Sequence, residues 1–290
     1  MKPYFPLSRM VTAIFDCANK LFGLRFVLKP DIVSYHPDVS TYEVREDVTV
    51  TDPSSGESRT EDRLVAIFLH DNFSRTHKQG GAWMSEYRTQ TRNFAPGAVD
   101  SNNGTIVYNG SVIPIIVNNN NFAKAPAGQE TLLSYVDAVT LFHEFGHGLH
   151  GMLSNVTYER LAGTSVLRDF VELPSQLYEH WLSEREVLKA HALHVETNEP
   201  IPDTLIDRLE AARGFNSGYD TVSYLSSALM DQALHNVVSG LDSFDILEFE
   251  KNKLQDLGMI EAVGLRHRPV HFAHIFSTSS YASAYYVYLW

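Results

Sequence analysis

The segment His143-Glu144-Phe145-Gly146-His147 holds two histidines with a glutamate between them. On an α-helix, residues four apart lie about 40° apart around the axis and about 6 Å along it, so both imidazoles can bind one metal ion. Zinc held by two histidines and a carboxylate keeps a water ligand, lowers the pKa of that water and polarises a substrate carbonyl. Glu144 would take the proton of the water. The pattern therefore predicts zinc-dependent hydrolysis of peptide bonds without a covalent intermediate.

Spacing leaves the third metal ligand open. His150 lies seven residues after His143, which is roughly 10 Å along a helix, whereas a zinc–nitrogen bond is about 2.1 Å. The two cannot comfortably share an ion, and we interpret His150 as a packing or supporting residue. The carboxylates that stay eligible by spacing are Glu159, Asp169, Glu172 and Glu179.

The residues around this segment predict the helix that the two histidines require. Ser134 is a suitable N-cap, and no proline follows it before Pro174. Apolar residues recur with a helical period at Tyr135, Val136, Val139, Leu141, Phe142, Phe145, Leu149 and Met152. We expect a helix over residues 131–153.

The first 130 residues have a mixed pattern. A helix is expected over residues 8–21, with Ser8 as its cap and Gly23 as its end. Four β-like runs follow, at residues 24–28, 42–50, 64–69 and 113–117. Turn-forming residues at 52–56 predict a hairpin, and the polar run at 118–121 is interpreted as a loop or sheet edge. Such an edge beside a metal site could hold an extended peptide by backbone hydrogen bonds.

The remainder of the chain has a predominantly helical pattern. Helices are expected near residues 131–153, 169–190, 203–213, 217–239, 243–257 and 279–290. We predict a mainly α protein with a small β-sheet. It would form a single catalytic domain over residues 1–290, with a mixed α/β part over 1–130 and a helical part over 131–290 that carries the metal site.

Composition narrows the class of partners and the compartment. The chain has 35 acidic and 23 basic residues, a formal net charge of −12, which argues against nucleic acid and anionic membrane surfaces as partners. Its one cysteine, Cys17, excludes an intrachain disulfide and fits a reducing compartment. No secretory signal or apolar run of about 18 residues is recognisable, so we predict a cytoplasmic protein. The composition leaves the oligomeric state unknown.

Longer stretches extend the likeness beyond the histidine pair. Residues 141–151, 163–165 and 168–176 resemble the zinc helix and the partner helix of the thimet oligopeptidase and dipeptidyl carboxypeptidase family of zinc metallopeptidases. The stretches at 80–84, 121–128, 215–219 and 271–276 resemble the bacterial dipeptidyl carboxypeptidase branch. Residues 281–290 look like the tyrosine helix of the family.

The resemblance assigns roles to particular residues. It implies a multi-helical, zincin-like catalytic domain with one Zn²⁺ per chain, held by His143, His147 and Glu172, and with Glu144 as general base. By spacing alone, Tyr281, Tyr285 and Tyr288 would form a packed aromatic stripe on one helix face. The resemblance instead implies that Tyr281 and Tyr288 stabilise the oxyanion of the attacked carbonyl. It also implies that His274 contacts substrate, whereas His267 and His271 are expected to be structural or surface residues.

The resemblance implies a peptidase that releases C-terminal dipeptides from short peptides, with oligo-endopeptidase action as the alternative. Two departures from the family are visible. Residues 277–280 lack the glycines that usually precede the tyrosines, which predicts a less mobile loop. Family members also extend beyond the matching region on both sides. We therefore expect a catalytic domain truncated at both ends, and an inactive zinc-binding fragment is a further alternative.

Overall fold

The structure, a computed structural model, describes residues 1–52, 54–93, 107–108, 111–260, 262–277 and 279–289. The chain divides into two compact units. The first comprises Met1–Val166 and Leu173–Ile206, and the second comprises Leu167–Glu172 and Asp207–Trp290. The organisation expected from the sequence is a single domain with a mixed α/β part over residues 1–130 and a helical part over residues 131–290. It stays a prediction. Over the described ranges, every helix is too short or too polar to cross a bilayer.

A mixed five-stranded sheet forms one layer of the first unit. The described strands are β1 (Arg25–Leu28), β2 (Val39–Thr51), β3 (Ser58–Phe73), β4 (Trp83–Arg88), β5 (Val107–Tyr108), β6 (Ser111–Val112) and β7 (Ile115–Phe122). The sheet order is β1-β2-β3-β7-β4, with β3 and β7 parallel and the other neighbours antiparallel. The predicted β2–β3 hairpin is confirmed: the Asp52 carboxylate accepts the backbone N–H of Ser54 and of Ser55 at the turn. Pro53 of this turn lies outside the described residues.

The interpretation of residues 118–121 as a loop or sheet edge is wrong. These asparagines belong to β7, which lies between β3 and β4 inside the sheet. Asn120 is fully buried, and its Nδ2 donates to Oδ1 of Asn72 at 3.0 Å. The Asn121 amide donates to the carbonyls of Gln79 and Gly81, both at 2.7 Å. These hydrogen bonds offset part of the cost of placing Asn120 and Asn121 in a central strand. The edge position on this side of the sheet belongs to β4.

Helices α1 (Leu7–Phe22) and α2 (Tyr135–Met152) pack on this sheet in the first unit. Helix α4 (Leu173–Ser183) packs against α2, and α5 (Arg185–His191) packs against α1 and α4. The core of the unit includes Phe5, Met10, Ile14, Phe68, Ile116, Phe142 and Phe145, all fully or almost fully buried. The expected end of α1 at Gly23 is confirmed by its left-handed backbone, φ 70°. The expected Ser8 cap is wrong, because the N-cap position is Pro6 and the Ser8 N–H donates to Glu130.

The second unit is built from helices and turns. Its elements are α3 (Arg168–Val171), α7 (Ser217–His235), α8 (Ile246–Asp256), α9 (Ala273–Phe276) and short 3-10 helices at Leu241–Ser243, Pro269–His271 and Tyr285–Leu289. Helix α6 (Asp203–Arg213) contributes residues to both units. The helix expected over residues 169–190 is divided into α3, α4 and α5. The expected helix over residues 279–290 is also wrong, because only Tyr285–Leu289 is helical there and Ser283 has φ 58°. Residue 290 of that stretch lies outside the described residues.

The expected combination of helices with a sheet is confirmed. The sheet is larger than the sequence suggested, since β2 has 13 residues and β3 has 16. The protein is therefore better described as mixed α/β than as mainly α. Its assignment as zincin-like stays a prediction.

Candidate metal centre

Helix α2 presents the two histidines of the motif. Ser134 and Asp137 form a reciprocal capping box that sets the start of the helix. Phe142, Phe145 and Leu149 are buried in the core, so the rotation of the helix about its axis is set by packing. The predicted helix with Ser134 as its N-cap is confirmed.

A close approach joins α2 to α4. A Cβ added at Gly146 would lie 2.7 Å from the Pro174 carbonyl oxygen and from Cα of Ser175, and 3.0 Å from Cβ of Tyr178. Only glycine allows the two helices to lie this close. Glu172 is bonded directly to Leu173, the first residue of α4, so the packing of α4 against α2 constrains where Glu172 can lie.

His143, His147 and Glu172 form a group of possible metal ligands. One ligand atom from each lies within 4.8 Å of the other two. Glu172 is almost fully buried, whereas the two histidines are partly exposed. Within the described ranges, this is the group of three or more His, Cys, Asp or Glu residues that could hold an ion. The eligible carboxylates Glu159 and Asp169 are exposed and are not members.

Glu179, which the spacing left eligible as the third metal ligand, instead contacts His143. Its Oε1 lies 2.6 Å from Nδ1 of His143, where it orients the imidazole. Sequence reasoning did not predict this orienting role. The available signal was the spacing, because Glu179 lies seven residues, about two helical turns, after Glu172 and so on the same face of a helix through both residues.

Glu144 lies between the two histidines in the sequence of α2. Its side chain is buried, with only 5% of the residue exposed. Burial lowers the pKa of His150, which fits the packing role expected of it.

In the second unit, two tyrosines lie beside Glu172. The Tyr281 hydroxyl donates to Oε1 of Glu172 at 2.7 Å. The Tyr281 and Tyr288 rings are stacked, with centroids 6.0 Å apart and planes 5° apart. The Tyr288 hydroxyl lies 3.0 Å from Nε2 of His274. The structure thus brings Tyr281, Tyr288, His274 and Glu172 together.

Burial and a neighbouring carboxylate keep these phenols protonated. Burial, with a smaller contribution from Glu172, raises the pKa of Tyr281 to about 12. The same two causes raise the pKa of Tyr288. His274 is exposed as a residue, but desolvation of its ring lowers its pKa. Both tyrosines are therefore hydrogen-bond donors at neutral pH.

The single face expected for the three tyrosines is not formed. Tyr285 is buried against Phe272, their centroids 4.8 Å apart and nearly perpendicular, and its ring also contacts that of Tyr288 at 5.7 Å. The three tyrosines thus pack in one aromatic cluster, but not as a stripe on one helix face. His267 stacks on Phe272 at 4.7 Å, which agrees with a structural role, and His271 is exposed. The reason is the turn before Tyr285, which replaces the regular helix on which the spacing argument depended.

Comparison with known proteins identifies the family. The model of Peptidase family M3 matches residues 1–290. The chain belongs to peptidase family M3. The family resemblance read from the sequence is thereby confirmed.

Relatives in family M3 include two named kinds of enzyme. Dipeptidyl carboxypeptidases of Salmonella typhimurium and Escherichia coli are 39% and 37% identical to this chain over 292 residues. Oligopeptidase A of Haemophilus influenzae is 31% identical. Each alignment covers all of this chain but only 38% to 39% of the relative. The chain thus spans about two fifths of the length of these relatives.

Proposed function

We propose that this chain carries the catalytic centre of a zinc peptidase that releases dipeptides from the free C-terminus of short peptides. The observation that carries the proposal is the group of His143, His147 and Glu172, whose ligand atoms lie within 4.8 Å of one another. Membership of family M3 supports it.

The donor set fits zinc. Two imidazole nitrogens and one carboxylate oxygen are the three protein ligands typical of a catalytic zinc site that keeps an open position. With Nδ1 of His143 beside Glu179, the nitrogen of His143 that would bind the ion is Nε2. When bound, zinc would supply Lewis-acid chemistry that polarises the scissile carbonyl and lowers the pKa of a water molecule.

The side chains of this protein would supply the proton transfers. Glu144 follows His143 directly on α2, and its buried carboxylate would accept the proton of the attacking water. The same carboxyl group would then give this proton to the leaving amine. Glu144 would thus act first as general base and then as general acid.

Tyr281 and Tyr288 would stabilise the oxyanion. Both phenols keep their protons at neutral pH because burial raises their pKa values, so each can donate a hydrogen bond to developing negative charge. His274 contacts the Tyr288 hydroxyl and would act through it or contact substrate directly. The substrate would lie as an extended chain along β4, the edge strand that replaces the expected edge at residues 118–121.

The relatives favour dipeptide release over endopeptidase action. The two relatives named dipeptidyl carboxypeptidase are 39% and 37% identical, and the one named oligopeptidase A is 31% identical. Endopeptidase cleavage is the second candidate, because the ligand set and the base would be the same for both. Short peptides in the cytoplasm are the predicted substrates.

Metal content and cleavage of paired peptides test the proposal. The purified chain is analysed for zinc by mass spectrometry and assayed on one oligopeptide with a free C-terminus and on the same peptide with an amidated C-terminus. We expect about one zinc per chain. Dipeptide release should occur only from the free peptide, whereas internal cleavage of both peptides would indicate the endopeptidase.

Two variants separate chemistry from folding. Glu144→Gln should keep zinc and lose cleavage by at least about 1000-fold, because the amide cannot accept the proton. Glu186→Gln, an exposed glutamate on α5, is the matched control and should cleave as the wild type does. A chain that binds no metal, or that cleaves equally well with Glu144→Gln, would refute the proposed function.

A further inference from the structure

The segment that carries Tyr281 and Tyr288 has little regular structure of its own. Residues 281–284 form a turn, and only Tyr285–Leu289 is a short 3-10 helix. Ser283 has φ 58°, a left-handed conformation that is unfavourable for a residue with a Cβ. Such a conformation persists only where surrounding contacts hold it. Within the second unit, these contacts come from α7.

Asp231 on α7 accepts two backbone hydrogen bonds from the segment. Oδ1 of Asp231 accepts the N–H of Ser283, and Oδ2 accepts the N–H of Tyr285, both at 2.9 Å. The Asp231 side chain is fully buried. A third partner is His235, one turn later on α7, whose Nδ1 lies 2.8 Å from Oδ1. A buried carboxylate with three partners resists movement, because displacing any partner leaves the carboxylate poorly solvated.

Two further side chains of α7 bind carbonyls of the same segment. Nε2 of Gln232 donates to the Ser283 carbonyl, and the Tyr224 hydroxyl donates to the Tyr285 carbonyl. Tyr224 lies seven residues before Asp231, so the two share one face of the helix. One helix face therefore binds two N–H groups and two carbonyls within three residues of backbone.

This anchored stretch lies between the two tyrosines. Tyr281 precedes Ser283 by two residues, and Tyr288 follows Tyr285 by three. The Tyr281 hydroxyl lies 2.7 Å from Oε1 of Glu172, and the Tyr288 hydroxyl lies 3.0 Å from Nε2 of His274. A shift of the backbone at residues 283–285 would move both phenols together, because both rings are attached to it over a short distance.

We propose that Asp231, assisted by Gln232 and Tyr224, is the positioning residue that sets Tyr281 and Tyr288 for oxyanion stabilisation. The proposal rests on the proposed function for the role of the two tyrosines, and it goes beyond that function in assigning their placement to α7. Asp231 itself does not touch substrate. Its effect is transmitted through the backbone of residues 283–285.

Amide hydrogen exchange tests the anchor without any need for catalysis. In the wild-type chain the amides of Ser283 and Tyr285 should be protected. Asp231→Asn keeps the shape of the side chain but turns an NH₂ group toward one of the two donors, so exchange at both amides should become at least about tenfold faster. Amides of α2 should be unaffected. Asp220→Asn, an exposed aspartate on the same helix, is the matched control and should change neither amide.

A double-mutant cycle tests whether the anchor acts through the tyrosines. Asp231→Asn should lower kcat by about 10- to 100-fold with KM changed less than about twofold, because misplacing a catalytic group by about 1 Å costs on this order. In a chain that already carries Tyr281→Phe and Tyr288→Phe, Asp231→Asn should cause little further loss. Bound zinc should stay at the wild-type level.

The outcomes separate this proposal from the proposed function. Unchanged exchange at Ser283 and Tyr285 in Asp231→Asn overturns the anchor, whatever the activity. Faster exchange with unchanged kcat, or an equal fall of kcat in the double-phenylalanine background, overturns its action through the tyrosines. A wild-type chain that cleaves no peptide refutes the proposed function, and the anchor is then judged by exchange alone, with loss of protection supporting it.

Discussion

At the scale of single residues, Glu179 changes what His143 can do. A carboxylate 2.6 Å from Nδ1 fixes the ring orientation and increases the electron density at Nε2, the nitrogen that would bind the metal. Outer carboxylates of this kind normally contribute to metal affinity although they do not bind the ion. We therefore expect the metal affinity of the proposed site to depend on Glu179, a residue outside the ligand group.

Substitution of Glu179 should weaken metal binding without removing a ligand. We expect Glu179→Gln to raise the zinc dissociation constant about tenfold, and Glu179→Ala to raise it by up to about 100-fold. Competition with a chelator of known affinity measures the change. Glu186→Gln serves as the control, since this exposed glutamate lies on α5. Equal affinity in Glu179→Ala and wild type would show that the contact with His143 has no such role.

At the scale of elements, the distance between α2 and α4 depends on one glycine. The backbone of α4 at Pro174 and Ser175 leaves no room for a Cβ at Gly146. Because Glu172 directly precedes α4, an increase in this distance would displace the proposed third ligand as well as loosen the core. We therefore expect metal binding and helix packing to be coupled at this position.

Gly146→Ala should lower both stability and zinc affinity. Overpacking of this kind costs about 1 to 3 kcal/mol in the free energy of unfolding. Urea unfolding of the metal-free chain and chelator competition measure the two effects separately. The matched control is Gly218→Ala in α7, where an added Cβ meets nothing within 4 Å and alanine favours the helix by up to about 1 kcal/mol. A Gly146→Ala chain as stable as wild type would contradict the close approach.

At the scale of the whole molecule, each unit has its own core, and the first unit contains a buried ionic network. Asp71 on β3 accepts hydrogen bonds from Arg75, Lys78 and Tyr35. Lys78 also donates to the carbonyls of Phe73 and Asn120, which ties the segment after β3 to β7. Burial alone would raise the pKa of Asp71, but the hydrogen bonds from Arg75, Lys78 and Tyr35 outweigh burial and lower the pKa to about 2.

This network should make the stability of the first unit depend on pH. The folded-state pKa of Asp71 is depressed, so its contribution of about 2 kcal/mol is complete above pH 4 and is lost as pH falls from about 4 to about 2. Asp71→Asn should cost about 3 to 5 kcal/mol at pH 7, because the buried Lys78 ammonium then faces no carboxylate.

Urea unfolding of wild type and variant over pH 7 to 2 measures the difference between them, in which the titration of other groups cancels. That difference should shrink below pH 4. Asp47→Asn, at an exposed ion pair with Arg25, is the control and should cost at most about 1 kcal/mol at any pH. A difference between Asp71→Asn and wild type that stays constant down to pH 2 would contradict the depressed pKa.

The sequence by itself determined the features that depend on short stretches of chain. The helix around His143 and His147, its Ser134 cap, the end of α1 at Gly23 and the β2–β3 hairpin all rest on hydrogen bonds and side-chain periods within a few residues. The family resemblance rests on longer motifs, and it selected Glu172 from four eligible carboxylates. The likeness of the chain to family M3 is confirmed over residues 1–290.

Tertiary structure decided the features that depend on distant partners. Residues 118–121 are polar, yet they lie in a central strand. There the Asn120 amide donates to Asn72, and the Asn121 amide donates to the carbonyls of Gln79 and Gly81. The tyrosine segment is a turn and a 3-10 helix, and its backbone binds Asp231, which lies more than fifty residues earlier. No local pattern encodes contacts at such separations, since they form only when packing brings the two segments together.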